Sequence, residues 1–173
     1  MKETLQDLKT RRSCRKYRSE QIKEEELDEI LEAGMYAPTG MGMQSPLIVA
    51  IQDKKTRDLL SKMNADIMGT DTDPFYGAPT VLVVLADKER RTYLDDGNMV
   101  IANLLNAAHA VGVDSCYIYR AKEEFDSPEG QALLKQWRIE GNYAGIGHVI
   151  LGYGLPEGIK EAAPRKENYI VRV

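Results

Sequence analysis

The basic segment at residues 9–18 is the part of the sequence whose residue types point most clearly to chemistry. It reads KTRRSCRKYR and contains no acidic residue. If the segment is extended, side chains alternate between two faces, so Arg11, Ser13 and Arg15 share one face. Two guanidinium groups with a hydroxyl between them suit a bound phosphate. A solvated charged strip fits the same spacing, and the residues alone leave both interpretations open. The alternation also assigns the neighbouring residues: Tyr17 to the first face, and Arg12, Cys14, Lys16 and Arg18 to the other.

Composition limits what this segment could bind. The chain has 173 residues and a net charge of −4, which argues against a dedicated nucleic-acid protein and favours a small anionic ligand. No apolar run is long enough for a membrane span, and the charged start MKETLQDLKT is unlike a secretory signal. Two cysteines are too few for a disulfide framework or a zinc site. We therefore expect a single cytoplasmic domain spanning residues 1–173, without a membrane or nucleic-acid partner.

Other residues that could carry chemistry favour structural roles. His109 and His148 lie in apolar patterns, which predicts packed rather than catalytic side chains. Gly145-Ile146-Gly147 lacks the third glycine and the strand-to-helix turn of a dinucleotide fingerprint. Cys14 lies among arginines that could lower its pKa, although nothing else in the sequence suggests thiol chemistry.

The periodicity of apolar residues predicts the elements that position these segments. The expected helices cover 2–9, with Leu5 and Leu8 facing inward, then 24–36, a segment capped by Asp53, 94–111, and a segment opening at Ser127-Pro128. The expected core strands cover 47–52, 80–86, 113–119 and 144–153. The remaining tail, 155–173, ends in the strand-like 169–171, which needs something to pair with.

Several motifs occur in an order that resembles the FMN-dependent nitroreductase family, over nearly the whole chain. They are RRSCRKYR, Ala37-Pro38-Thr39-Gly40 with Gln44-Ser45-Pro46, the 74–79 turn PFYGAP, Ser115-Cys116-Tyr117-Ile118, and Pro164-Arg165-Lys166. No single motif is decisive, but their order and spacing together are specific. The resemblance implies an α+β fold, in which helices flank a mixed, mainly antiparallel sheet. It also implies an interlocked homodimer whose C-terminal tails, residues 155–173, reach the partner subunit.

The resemblance further implies an FMN site. Residues around 11–15 and the terminal basic pair would hold the phosphate, the 38–46 loop would reach the flavin of the other subunit, and the strand end near Tyr117 would approach the ring. The implied cofactor-binding residues are Arg11, Arg12, Ser13, Arg15, Pro38, Thr39, Gly40, Gln44, Asn64, Tyr117, Ile118, Tyr119, Arg165 and Lys166. No catalytic side chain is implied, because the flavin carries the redox chemistry. Arg15, or else Lys16, would supply the positive charge near the reduced ring.

The implied activity is electron transfer from NADH or NADPH to an electron-poor small molecule, a nitroaromatic or a quinone, by a ping-pong mechanism. The 42–47 loop GMQSPL lacks the Asn and the Trp that larger members often show, so nitro compounds need not be the physiological substrate. Two alternatives remain open from the sequence. One is a binding protein that holds a polyanion on the basic segment without redox chemistry. The other is a specialised flavoprotein of the same superfamily, of a dehalogenating or flavin-degrading type.

Overall fold

The computed structural model describes residues 2–173. Its helices and strands follow in the order α1 (Glu3–Thr10), α2 (Glu24–Met35), β1 (Pro46–Ile51), α3 (Lys54–Met68), β2 (Thr80–Asp87), α4 (Tyr93–Ala110), β3 (Asp114–Ile118), α5 (Ala121–Asp126), α6 (Pro128–Gln136) and β4 (Tyr143–Gly152). Short 3-10 turns occupy Gly40–Gly42 and Pro156–Gly158. Among these residues no helix combines the length and the hydropathy needed to cross a membrane.

The strands form one four-stranded sheet in the order β1-β2-β4-β3, and every neighbouring pair is antiparallel. The two central strands are buried along almost their whole length. β2 is continuously apolar from Val81 to Ala86, whereas β4 also buries His148. β1 and β3 are the edges of the sheet. This arrangement confirms the expected α+β class with helices flanking a mainly antiparallel sheet.

Two apolar layers cover the faces of the sheet. On one face α3, α5 and α6 contribute a cluster around Phe75 and Phe125. On the other face α2 and α4 contribute a cluster around Ile30 and Leu104. Local signals fix where several helices start: the Asp53 carboxylate accepts the Thr56 N–H at 2.8 Å at the start of α3.

The predicted boundaries agree with the observed ones to within about two residues, with three differences. No pattern in the sequence predicted α5, a short helix between β3 and α6. Leu5 and Leu8 were expected to face inward, but they are 51% and 54% exposed, because α1 contacts α4 without burying any of its residues. The tail forms no strand at 169–171 within the described chain, where Tyr169, Ile170 and Val171 are exposed.

Candidate functional site

The basic segment is fixed to the open edge of β3 by its backbone. Ser13 forms a parallel bridge with Ser115, and the Cys14 N–H donates to the Ser115 carbonyl at 3.0 Å. On its other side the Arg15 N–H donates to the Gly158 carbonyl at 2.9 Å. The segment therefore lies between β3 and the chain that follows β4, where it extends the sheet at one edge.

Two buried side chains anchor the segment. Cys14 and Tyr17 both lie in the cluster around Phe75, and the Tyr17 hydroxyl donates to the Cys14 carbonyl at 2.8 Å. Strict alternation had placed these residues on opposite faces; that prediction is wrong, because isolated bridges rather than a regular ladder hold the segment. Burial raises the pKa of both groups. The expectation that neighbouring arginines could lower the pKa of Cys14 is therefore also wrong.

The charged side chains of the segment differ in how far they are engaged. Arg12 donates to the Lys9 and Arg11 carbonyls, each at 2.7 Å, and Lys16 pairs with Glu157 at 2.7 Å. Arg15 is exposed. Arg11 is half-buried, and its Nη1 atom is buried without a hydrogen-bond partner among the described residues. A buried donor without an acceptor is costly, so this atom suits an anionic ligand.

The end of β3 adds two exposed aromatic rings to the same edge. Tyr117 and Tyr119 are 37% and 61% exposed, whereas Ile118 between them is buried in the core. Asn64 of α3 fixes the backbone just after β3, because its Nδ2 donates to the Tyr119 carbonyl at 2.7 Å and to Glu124. Asn64 is itself fully buried, and its expected contact with a cofactor stays a prediction.

The 38–46 loop is fixed at the start of α4. Asp96 is buried, and its carboxylate accepts the Gly40 N–H at 2.8 Å and the Thr92 hydroxyl at 3.0 Å. A Cβ on Gly40 would lie 2.4 Å from Thr92 Oγ1, so only glycine fits this approach. The Thr39 hydroxyl accepts the Gln44 N–H at 3.0 Å. Asp96 and Thr92 were not predicted as site residues, since an acidic first turn of a helix is too common to single out.

An apolar cavity of about 420 Å³ adjoins this loop. Its lining comes from α2, β1, α4 and the loop itself, and includes Leu31, Met35, Thr39, Gln44, Leu47 and Val100. Met35, Tyr36 and Met41 are 73%, 78% and 97% exposed nearby. Large apolar side chains exposed together are typical of binding and interaction surfaces.

The loop and the basic segment lie at opposite edges and opposite ends of the sheet. Pro46 is level with Ala144 at one end, and Ser115 is level with Leu151 at the other. Three strand spacings separate the edges by about 14 Å, and the six residue steps from Thr80 to Ala86 along β2 separate the ends by about 20 Å. One chain therefore does not bring Thr39, Gly40 and Gln44 to Arg11, Ser13 and Arg15.

The C-terminal tail is also remote from the segment. Arg165 and Lys166 are exposed, and the Lys166 ammonium lies over the Tyr169 ring at 5.3 Å. Among residues 2–173, no hydrogen bond or ion pair joins either residue to residues 11–15. The first residues of the tail behave differently, because Leu155 and Gly158 form backbone hydrogen bonds with the basic segment.

His148 is packed in the core, as predicted, whereas His109 is half-buried at the surface. His109 Nε2 lies 2.8 Å from the Thr10 hydroxyl, which ties α4 to α1. His148 is fully buried in β4, with Nε2 at 2.9 Å from Glu124 Oε2 and its ring against Phe75.

Comparison with known proteins identifies the class to which this fold and site belong. The model of the Nitroreductase family matches residues 8–71, which include the basic segment, the loop and all of α3. A protein of Archaeoglobus fulgidus with the provisional name NADH dehydrogenase/NAD(P)H nitroreductase is 30% identical over 164 residues, covering 91% of this chain and 88% of the relative. The chain belongs to the nitroreductase family.

Solved structures agree along the full length. A nitroreductase from Bacteroides fragilis, crystallised with bound FMN, superposes with a TM-score of 0.91 at 28% identity and covers 100% of both chains. A nitroreductase from Desulfitobacterium hafniense has a TM-score of 0.89 at 24% identity, covering 100% of this chain and 99% of its own, and supports the fold alone.

Proposed function

We propose that this protein is an FMN-dependent oxidoreductase that passes electrons from NADH or NADPH to a small, electron-poor acceptor such as a nitroaromatic or a quinone. The observation that carries the proposal is the unpartnered, buried Arg11 donor on the β3 edge. It occurs in a chain that matches an FMN-bound nitroreductase over its whole length. That relative's cofactor supports FMN as the ligand here.

The residues of the β3 edge fit a flavin phosphate. Arg11 and Arg15 offer charged donors, and Ser13 adds a hydroxyl within the same fixed segment. Tyr117, Ile118 and Tyr119 would lie along the planar ring. Arg12 is the least suited of the proposed ligands, because its guanidinium already donates to two backbone carbonyls of its own segment.

We further propose that two copies of the chain complete each site. The 38–46 loop lies too far from the basic segment to share a ligand with it in one chain, and a partner's loop would supply Pro38, Thr39, Gly40 and Gln44. The exposed tail would likewise carry Arg165 and Lys166 to the partner. The apolar side chains exposed around the loop, Met35, Tyr36 and Met41, support such an interface.

When bound, FMN supplies the two-electron redox chemistry, and the chain's own residues bind and orient it. Arg15 is the better candidate for a positive charge beside the ring, because Lys16 is already paired with Glu157. Donor and acceptor would use the same open side of the β3 edge in turn, which gives ping-pong kinetics. The polyanion alternative is less well supported, since Arg12 and Lys16 are both engaged within the chain and the net charge is −4.

The direct test is the visible spectrum of the purified protein after incubation with FMN and removal of free flavin. Bound flavin absorption supports the proposal, and a protein that stays colourless refutes it. Steady-state rates with NADH or NADPH and a quinone then test the mechanism. Parallel double-reciprocal lines support one shared pocket, whereas intersecting lines indicate two separate pockets.

A further inference from the structure

A chain of buried polar side chains lies beneath the end of β3. His148, Glu124 and Asn64 are all fully buried within the apolar layer around Phe75. His148 contacts Glu124 at 2.9 Å, and Glu124 bonds to the Asn64 amide. Buried polar groups are tolerated only when they are partnered, so such a chain is an expensive feature of a core.

This chain of polar side chains reaches the surface at Arg120. The Arg120 guanidinium donates to Asn64 Oδ1 at 3.3 Å, and the Asn64 amide also holds the Tyr119 carbonyl. The polar chain therefore fixes the corner directly after Tyr117–Tyr119, the strand end expected to lie along the flavin ring.

The backbone of Arg120 is strained. Its φ is +81°, in the left-handed region that favours glycine. Glycine would adopt this φ without a steric cost, which the Arg120 side chain incurs. The single hydrogen bond that Arg120 donates to Asn64, at 3.3 Å, offsets little of that steric cost.

Most N–H donors of the Arg120 guanidinium are also unused within residues 2–173. Arginine carries five N–H donors, and one of them is used in the contacts described for residues 2–173. Arg120 is half-buried, which strengthens a charged hydrogen bond relative to one in open solvent. Of the two other cations considered for the ring, Arg15 is exposed and Lys16 is paired with Glu157.

We propose that Arg120 is a cofactor-binding residue: its guanidinium binds the acceptor-rich pyrimidine edge of the FMN ring, and the Asn64–Glu124–His148 chain holds it in place. The inference rests on the proposed function and adds a residue that neither the motifs nor the basic segment indicated. Because negative charge develops on that edge when the ring is reduced, the Arg120 cation should bind reduced FMN more tightly than oxidised FMN.

The test uses two matched variants of the full-length protein. Arg120→Gly removes the side chain and relieves the left-handed strain, and Arg138→Gly makes the same change at another left-handed arginine, φ +58°, that follows α6. FMN affinity is measured by flavin fluorescence with protein stripped of cofactor, and stability is measured on the same FMN-free protein by denaturant unfolding.

We expect Arg120→Gly to weaken FMN binding by about 10- to 100-fold, the usual range for a lost charged hydrogen bond. Its FMN-free stability should stay at or above wild type, its flavin reduction potential should become more negative, and Arg120→Lys should restore part of the affinity. Arg138→Gly should change stability without changing FMN affinity.

Unchanged FMN affinity in Arg120→Gly would overturn the proposal, as would a loss of affinity matched by a loss of FMN-free stability. A change confined to the KM of the nicotinamide donor would overturn it as well. Failure of the wild-type protein to bind FMN would instead refute the proposed function, so the two failures are distinguishable.

Discussion

The basic segment and the C-terminal tail carry the two sets of cations proposed for one phosphate, yet the chain positions them by different means. Residues 11–18 are bonded to β3 and to residues 153–158, and are anchored by the buried Cys14 and Tyr17. The tail from residue 160 onward is exposed, and no buried side chain of this segment anchors Arg165 or Lys166. The contrast indicates that one chain preorganises half of the proposed site, and it supports the proposal that a second copy orders the other half.

Removing the tail should have the largest effect. The cut belongs after Ile159, because Ile159 bridges Cys14 and its loss would disturb the basic segment itself. Deletion of residues 160–173 should abolish the dimer and most FMN binding, since Arg165, Lys166 and the exposed 169–171 side chains leave together. Light scattering and flavin fluorescence measure both results. A flavin-loaded dimer of the shortened chain would show that the tail is dispensable.

Within the basic segment, the loss should depend on which cation is removed. Arg15→Ala should weaken FMN binding by about 10- to 150-fold, because a hydrogen bond to a charged group is worth about 1.5–3 kcal/mol. Arg12→Ala should cost several-fold at most, since Arg12 is occupied with the Lys9 and Arg11 carbonyls. Flavin fluorescence at two salt concentrations makes the comparison. Equal losses would favour a general polyanion strip, whose affinity falls with each charge removed.

The loop proposed to reach the partner depends on one buried carboxylate. Asp96→Ala leaves the Gly40 N–H and the Thr92 hydroxyl without their acceptor, which should destabilise the protein by about 1–3 kcal/mol. Asp96→Asn keeps an acceptor for Gly40 and should lose less. Denaturant unfolding and FMN affinity are measured together. If Asp96→Ala leaves both unchanged, the loop is not held by this contact.

The smallest expected effect is a dependence on alkaline pH that belongs to the anchored segment alone. Burial raises the pKa of Cys14 and of Tyr17, so both are neutral in the folded protein where the unfolded chain already ionises. Their contribution is complete below the unfolded pKa values of about 8.5 and 10 and is lost as pH rises toward the folded values.

The free energy of unfolding should therefore fall as the pH rises above about 8.5, and more steeply above about 10, where Tyr17 also contributes. Tyr17→Phe should flatten the upper part of this dependence, because it removes one of the two titrating groups. Guanidinium unfolding at several pH values measures the slope. An equal slope in wild type and Tyr17→Phe would contradict the assignment to this anchor.

The sequence predicted the elements whose signals are local. The continuous apolar run of β2, the Asp53 cap and the Ser127-Pro128 helix start each depend on a few adjacent residues, and each is observed. α5 was missed because it is short, AKEEFD, and follows Arg120, whose positive φ no residue type in the sequence indicates.

The site was predictable only where its residues are adjacent in sequence. Charge density marked residues 11–15, but the burial of both Cys14 and Tyr17 depends on isolated bridges to distant chain segments. Asp96 and Arg120 acquire their positions from contacts with Gly40 and Asn64, 56 residues away in each case. Such long-range hydrogen bonds leave no periodic trace in the sequence.

Sedimentation of the FMN-reconstituted protein, followed at the flavin absorption band, tests most directly whether two chains complete the site. We predict that the flavin sediments with a species of twice the 19.4 kDa chain mass and at one flavin per chain. A flavin-bearing species at the mass of one chain would contradict the shared site, and protein that sediments without flavin would contradict the proposed function.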